Sequence, residues 1–163
     1  MLFRSPSFAL AIVLVAIFQP SVGSIVSAIA LVSWPPVARL VRGEFLTLRQ
    51  RDFVAAAQLA GLSTPRIIIG QILPNAASPI IVMGSLMVAS AILLESSLSF
   101  LGLGDPNQMS WGYMVGSART VLRQAWWMAV FPGLAIVLTV LALTLVGEGL
   151  NDGLNARAEG RTR

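Results

Sequence analysis

Apolar residues are grouped along the chain into four blocks, at residues 7–18, 22–38, 79–94 and 125–146. Polar and turn-forming residues separate the blocks from one another. The last block would be about 33 Å long as a helix, and the hydrocarbon core of a bilayer is about 30 Å thick. The pattern therefore predicts an all-α, polytopic membrane protein with about four transmembrane helices.

The first block is short for a membrane span. It has roughly 12 to 17 residues, and a crossing helix needs about 20. Arg4 before it, together with Gly23 and Ser24 after it, also fits a secretory signal peptide. The other three blocks keep the chain in the membrane under either interpretation. In the second block, Pro35 and Pro36 predict a kinked helix.

Composition supports a membrane protein and excludes several kinds of site. Hydrophobic residues make up 56% of the chain and charged residues 11%, whereas soluble domains carry about 25% charged residues. The chain has no Cys and no His, which excludes zinc sites, disulfides, thiol nucleophiles and imidazole bases. It also has no Lys, so a phosphate-binding loop with Lys is absent from the sequence. We expect no cofactor, no metal ion and no nucleic-acid partner.

All 11 basic residues are Arg, and their placement predicts the orientation. Nine lie near the two ends of the chain or between the second and third blocks, and Arg119 and Arg123 lie between the third and fourth. Because basic residues concentrate on the cytoplasmic side, both termini and residues 42–78 are predicted to be cytoplasmic, and residues 104–124 external. Four aromatic residues fit an interfacial belt better than substrate stacking: Trp111, Tyr113, Trp126 and Trp127.

The cytoplasmic segment at residues 42–78 carries the signals of two short helices. Asp52 can cap a first helix at residues 53–60. Gly61 follows as a natural left-handed terminator. The second helix is predicted at residues 65–73, so the segment is expected to form a helix-turn-helix.

The second of these helices has its own start signals, and the first has a shallow apolar stripe. Thr64 can cap the second helix, with Pro65 at the first position, where its missing N–H costs nothing. The stripe of the first helix consists of Phe53, Ala56, Ala57 and Ala60. Periodicity alone leaves two interpretations open: a low-relief surface for a partner, or an amphipathic connector on the membrane.

Several blocks of this sequence, in order, resemble one known family. Residues 51–61 (RDFVAAAQLAG) and 71–75 (QILPN) resemble the EAA loop of the membrane permease subunits of ATP-binding-cassette importers. Residues 95–104 (ESSLSFLGLG), 110–112 (SWG) and 131–136 (FPGLAI) look like the C-terminal half of dipeptide, oligopeptide and nickel permeases. The resemblance covers essentially the whole chain.

The resemblance implies an importer in which two permease subunits surround a translocation path in the lipid bilayer. Each would dock onto a cytoplasmic ATPase subunit, which hydrolyses ATP, and an extracytoplasmic binding protein would deliver the solute. Ala55 stands where the family has the Glu that names the loop, so the ion pair of that Glu is not expected. The positions implied in ATPase coupling are Asp52, Ala56, Ala57, Gly61, Leu73 and Pro74.

The resemblance also implies a domain organisation and a location. Residues 1–163 are expected to form one permease domain that lacks the N-terminal part of the family, with the coupling loop at residues 42–78 inside it. The expected location is the bacterial cytoplasmic (inner) membrane. The alternative to a working permease is a non-transporting membrane scaffold or an inactive permease fragment. Peptides are the solute that the resemblance favours, while nickel and other small solutes stay open.

Glu95 directly follows the third apolar block and lies toward the outer end of the third predicted span. A charge at the bilayer centre costs about 2.5 to 3.5 kcal/mol on insertion scales. The carboxylate can line the path or pair with another span, and the hydroxyls of Ser96, Ser97 or Ser99 can help to satisfy it. A membrane-embedded enzyme is disfavoured, because the apolar blocks offer Glu95, Ser and Thr with no partner base.

Overall fold

The computed structural model describes the backbone of residues 7–159 and the side chains of residues 8–150. Every regular element within the described residues is helical, so the predicted all-α class is confirmed. Arg4, Arg161 and Arg163, which contribute to the predicted orientation, lie outside this range. The elements are α1 (Ser7–Phe18), α2 (Val22–Arg49), α3 (Asp52–Leu59), α4 (Thr64–Ile67), a π-helical turn (Ile68–Ile72), α5 (Leu73–Phe100), α6 (Trp111–Ala118) and α7 (Trp127–Glu159).

Three helices of the described chain are long and apolar enough to cross a membrane: Val22–Arg49, Thr64–Phe100 and Trp127–Leu150. Large apolar side chains such as Leu138 stay exposed along them, as expected for surfaces that face lipid. The predicted polytopic architecture is confirmed for these three spans. The first predicted span forms α1, which has 12 residues and is shorter than a crossing helix needs.

Two helices extend beyond the apolar blocks from which they were predicted. The helix of the second block does not stop at residue 38 but runs through Pro35 and Pro36 to Arg49. Each proline removes one backbone donor, and the hydrogen bonds of the flanking turns are enough to hold a long helix together. The helix of the third block begins well before residue 79, because it is continuous with the π-helical turn and α4.

The chain divides into two compact units, which are described separately. Unit 1 contains residues 7–34 and 87–144, and unit 2 contains residues 35–86 and 145–159. The core of unit 1 joins α1, α2 and α5 through small and medium apolar side chains, which permit close helix packing. Its buried members are Ala11, Val15, Ile25, Ala28, Val32 and Leu98.

The predicted external loop of unit 1 contains a further helix, α6, that packs directly on α5. Ser110 caps it, since its Oγ accepts a hydrogen bond from the backbone N–H of Tyr113 at 3.2 Å. A Cβ placed on Gly112 would lie 2.6 Å from the Cα of Ser96. The backbones of α5 and α6 are therefore in contact here, and a residue larger than glycine at position 112 would clash.

Candidate coupling loop and intramembrane polar site

The predicted coupling loop folds as a compact bend, which we call the elbow: α3, the turn at Gly61, α4 and the π-helical turn, residues 52–72. Its side chains form a core of their own in unit 2. Four apolar residues are buried there: Val54, Ala57, Ile67 and Ile72. Four more pack against them from α2, α3 and the turn: Phe45, Leu48, Phe53 and Leu62. The elbow is thus held by side-chain packing rather than by polar contacts.

The start of α3 differs from the prediction. Asp52 is the first helical residue instead of the cap, and Arg51 takes the cap position with an extended backbone and no side-chain cap bond. The carboxylate of Asp52 still lies in the first turn, where the helix dipole favours negative charge. Its contribution is therefore electrostatic, while the capping role is wrong.

The turn after α3 forms as predicted. Gly61 adopts a positive φ of 75°, and its N–H donates to the carbonyl of Gln58 at 3.0 Å. The N–H of Leu62 donates to the carbonyl of Ala57 at 3.2 Å. These two bonds form a Schellman motif, in which a left-handed glycine satisfies the last carbonyls of a helix.

The second helix of the elbow starts near the predicted residue but does not end where predicted. Ser63 is its cap residue and Thr64 its first helical residue, so the capping role of Thr64 is wrong. The predicted end at residue 73 is also wrong, since one continuous helix runs over Thr64–Phe100. Pro74 cannot donate a helix bond, and the wider π-helical turn directly before it accommodates the proline ring.

The predicted coupling residues divide into an outer set and one interior residue. Ala57 is only 5% exposed and belongs to the core of the elbow. The exposed members are Asp52, Ala56, Gly61, Leu73 and Pro74. The predicted alanine stripe is therefore not a single surface: α3 is rotated so that Val54, its larger aliphatic side chain, also faces the core. Ala56 and Ala60 are left on the outside.

One exposed residue of the elbow is missing from the predicted set. Leu59 is 91% exposed at the last position of α3. A signal for it exists in the sequence, because a helix that buries Val54 and Ala57 must turn Leu59 to the opposite side. An isolated leucine of this kind on a small loop is a candidate contact for a partner.

A cavity of about 420 Å³ opens within unit 2 between α2 and the elbow. Its lining is mainly apolar and includes Phe45, Val54 and Ile72. Arg49 and Gln58 add polar groups to the lining. A cavity of this size can accept an apolar side chain from a partner, with a cation nearby to pair with an acidic group.

The second polar site of interest lies in unit 1, around Glu95. The Oγ of Ser99 donates a hydrogen bond of 2.6 Å to the carboxylate of Glu95. Of the other two serines considered from the sequence, Ser97 donates to the carbonyl of Leu93 instead. The Oγ of Ser96 is buried without a hydrogen-bond partner. Only the hydroxyl of Ser99, among these three, donates a hydrogen bond to the Glu95 carboxylate.

The loop between α5 and α6 holds a second carboxylate, Asp105. It accepts hydrogen bonds from the backbone N–H of Asn107 at 2.9 Å and from that of Val22 at 3.1 Å. These two bonds, that of Asn107 first, lower the pKa of the Asp105 carboxyl below its usual value. Asp105 thereby ties the start of α2 to this loop within unit 1.

Arg119, one of the two Arg residues predicted to be external, contacts the C-terminal end of α5. Its guanidinium donates to the carbonyl of Phe100 at 2.5 Å and lies 4.3 Å from the centre of the Phe100 ring. Its Nε donates to the carbonyl of Gly116. The charge is thus used for helix capping and a cation–π contact, and it does not pair with Glu95.

Comparison with known families identifies the molecule. Residues 1–160 match the family model described as the binding-protein-dependent transport system inner membrane component. The chain belongs to this family. The inner-membrane family and the three long apolar helices together show a multi-pass inner-membrane protein.

Relatives of this inner-membrane transport component carry peptide-transport names. The di/tripeptide transport system permease protein DppC of Pseudomonas aeruginosa is 45% identical over 153 residues, which are 93% of this chain and 50% of the relative. The dipeptide transport system permease protein DppC of Escherichia coli K12 is 44% identical over 93% of this chain and 51% of the relative. The DppC of Alkalihalophilus pseudofirmus is 42% identical, with 93% and 50% covered. The chain spans about half the length of the curated relatives it matches.

Proposed function

We propose that this chain forms part of the permease subunit of an ATP-binding-cassette importer that carries short peptides across the inner membrane. The family match and the di- and tripeptide names of its relatives support the solute class. A second permease subunit, cytoplasmic ATPase subunits and an extracytoplasmic binding protein would complete the importer. In this proposal residues 42–78 lie in the cytoplasm and α6 lies outside.

The packing of the elbow is the observation that supports a role in coupling to the ATPase. Its buried core consists of its own side chains, with Phe45 and Leu48 of α2 packed against them, while Leu59 and Ala56 are exposed outside that core. A short segment that is folded in itself and apolar outside is suited to bind a groove on a partner. The cavity beside Arg49 gives the partner a complementary place to bind.

The helix that continues from the elbow into the membrane could transmit movement of the ATPase to the transmembrane region. Thr64–Phe100 is helical without a break, and only its π-helical turn departs from regular geometry. Nucleotide binding would move the ATPase surface, and the elbow would move with it. A ligand shifts a conformational equilibrium only through different affinities for the two states, and ATP would supply that difference through the ATPase.

Association with the ATPase is the direct test of the coupling role. We expect Leu59→Glu to weaken co-purification of the ATPase subunits with the membrane complex by at least about tenfold, which corresponds to about 1.4 kcal/mol. The matched control is Leu122→Glu, an equally drastic change at an exposed leucine that is predicted to lie outside. Equal co-purification of the two variants would refute docking through the elbow.

Ala56 and Ala57 separate docking from folding. Ala56→Arg places a large charge on the exposed side of α3 and is expected to reduce ATPase association with little effect on the stability of the elbow. Ala57→Arg places the same charge in the core and is expected to unfold the elbow locally. Limited proteolysis of the elbow distinguishes the two, and faster cleavage in Ala56→Arg would contradict this assignment.

The orientation can be tested on a chain that has no native cysteine. Single cysteines at Arg66 and Gln108 can be labelled with a membrane-impermeant maleimide in intact cells and in opened membranes. We expect Gln108→Cys to react in intact cells and Arg66→Cys to react only after opening. The opposite result would reverse the proposed topology and remove the elbow from the ATPase side.

A further inference from the structure

A cavity of about 530 Å³ in unit 1 has Glu95 in its wall. Cavities of about 300 to 1,000 Å³ are the usual size of small-molecule sites. The lining is mostly apolar, from Ile29, Ile92 and Met109 among others. A few polar groups in an apolar wall are the usual composition of a site that binds one end of a small solute.

The charge in this cavity has no countercharge among the residues that the structure describes. Glu95 accepts a hydroxyl hydrogen bond from Ser99, and no ion pair joins it to an Arg in the described range. A second acid, Asp105, lines an adjoining cavity of about 210 Å³ that shares Ile29, Glu95 and Ser110 with the first. No basic residue lines either cavity. The site is therefore suited to a cation.

Ser96, the residue after Glu95, adds no polar contact to this site. It lines the same cavity, but its Oγ is buried and has no hydrogen-bond partner. A solute in the cavity would therefore meet the Glu95 carboxylate rather than this hydroxyl.

The remaining polar and aromatic groups match an ammonium ion. Trp111 lines the cavity, and an indole face attracts an organic cation. Ser110 also lines the cavity, but its Oγ already accepts the N–H of Tyr113. A carboxylate and an aromatic group together suit the positive charge and the N–H donors of a primary ammonium group.

We propose that Glu95 and Trp111 form a binding site for a primary ammonium group of the transported solute, the amino end of a short peptide. This inference rests on the proposed function, since it assigns a role in solute recognition to a transport subunit. Glu95 supplies the charge and Trp111 the aromatic group. The apolar wall then accepts the rest of the peptide without strong selection among side chains.

The test is uptake of a dipeptide by the complete importer in proteoliposomes, compared with the N-acetylated dipeptide at saturating concentration of each. We expect Glu95→Gln to slow uptake of the free dipeptide about tenfold per assembled complex. The preference for the free over the N-acetylated dipeptide should fall by a similar factor. Glu95→Asp, which keeps the carboxylate, should restore part of the uptake rate. The control is Glu148→Gln, an acid of unit 2 outside both cavities. Because the binding protein is the same throughout, its own preference cancels in the comparison.

Three results would overturn the proposal in distinguishable ways. Unchanged uptake and preference in Glu95→Gln, with a working wild-type importer, would remove the ammonium site and leave the proposed function intact. Loss of assembled complex in Glu95→Gln, with normal uptake by the complex that remains, would show that the carboxylate pairs with another span. Absence of ATP-dependent uptake by the wild type would defeat the proposed function, and the site with it.

Discussion

Two helices of this chain end in the same way, yet the segments after the two ends are held differently. α3 ends at Gly61 with a φ of 75°, and α5 ends at Gly102 with a φ of 85°. In both, the N–H of the next residue donates to the carbonyl five positions earlier: Leu62 to Ala57 at 3.2 Å and Leu103 to Leu98 at 3.0 Å. Both ends are Schellman motifs. The same local chemistry therefore serves a cytoplasmic elbow and an external loop in the proposed topology.

The two regions differ in what holds them after the turn. The elbow is packed through side chains such as Val54 and Ile67 around a small apolar core. α6 is packed through its backbone, since Gly112 and Gly116 lie against α5. Side-chain cores accept substitutions of similar volume, whereas backbone contacts accept none larger than glycine. The difference predicts which substitutions each region can tolerate.

The largest effect is expected at the backbone contact of α6. Gly112→Val would place atoms within 2.6 Å of the Cα of Ser96, and this backbone cannot move without displacing α5. We expect a loss of about 3 kcal/mol in the free energy of unfolding, measured by unfolding in mixed detergent micelles. The control is Gly84→Val, because a Cβ at Gly84 meets nothing within 4 Å. Equal losses at the two positions would contradict close backbone packing of α6.

A smaller and more local effect is expected in the elbow. Val54→Ala removes part of a fully packed side chain, and we expect the elbow to lose about 2 kcal/mol of local stability. Hydrogen exchange of α3 measures that loss without requiring global unfolding. Leu59→Ala in the same helix should change exchange very little, because Leu59 is exposed. If both variants loosened α3 equally, the elbow would not be held by its own core.

The spacing of apolar residues and the turn-forming residues between them were sufficient to predict most of the long helices. The four apolar blocks correspond to α1, α2, α5 and α7, and Gly61 ends α3 as its left-handed preference requires. These features depend on local chemistry. α6 was not predicted, because its packing glycines, Gly112 and Gly116, have meaning only once α5 lies against them.

Two further features could not be predicted from local sequence: which side of α3 is buried, and that the next helix continues past Pro74. A stripe with Ala57 on the same face as Ala56 fits the helical period, but burial of Val54 decides which side of α3 turns inward. Pro74 resembles a helix stop in sequence, and a π-helical turn lets the helix continue through it. The coupling contacts of the exposed residues stay a prediction, since a single chain cannot show a partner.

Comparable, modest effects are expected at the two glycine turns. Neither Gly61 nor Gly102 has an atom within 4 Å of a built Cβ, so replacement by Ala meets backbone strain alone. We expect Gly61→Ala and Gly102→Ala each to cost about 1 kcal/mol of unfolding free energy. Asn tolerates the left-handed conformation better, so Gly61→Asn and Gly102→Asn should cost less. A much larger loss at either turn would show that its glycine has a packing role as well.

The smallest effect is expected from pH at the loop that precedes α6. The folded pKa of Asp105 lies below its ordinary value of 3.8, so the folded protein binds this proton less tightly than the unfolded chain. The stabilising contribution is therefore complete above the ordinary value and is lost as pH falls through the lowered folded value.

Hydrogen exchange of the Val22 amide, corrected for its intrinsic rate, reports this loss, because that amide donates to the Asp105 carboxylate at 3.1 Å. In the wild type its protection should fall as the carboxylate is protonated. In Asp105→Asn, which keeps one acceptor but cannot titrate, protection should be nearly the same across the acid range. An equal acid slope in both proteins would assign the change to another group and leave the carboxylate without a role in holding the start of α2. If only the wild type shows the slope, the loop before α6 is held by a titratable hydrogen bond, whereas the core of the elbow is held by apolar packing.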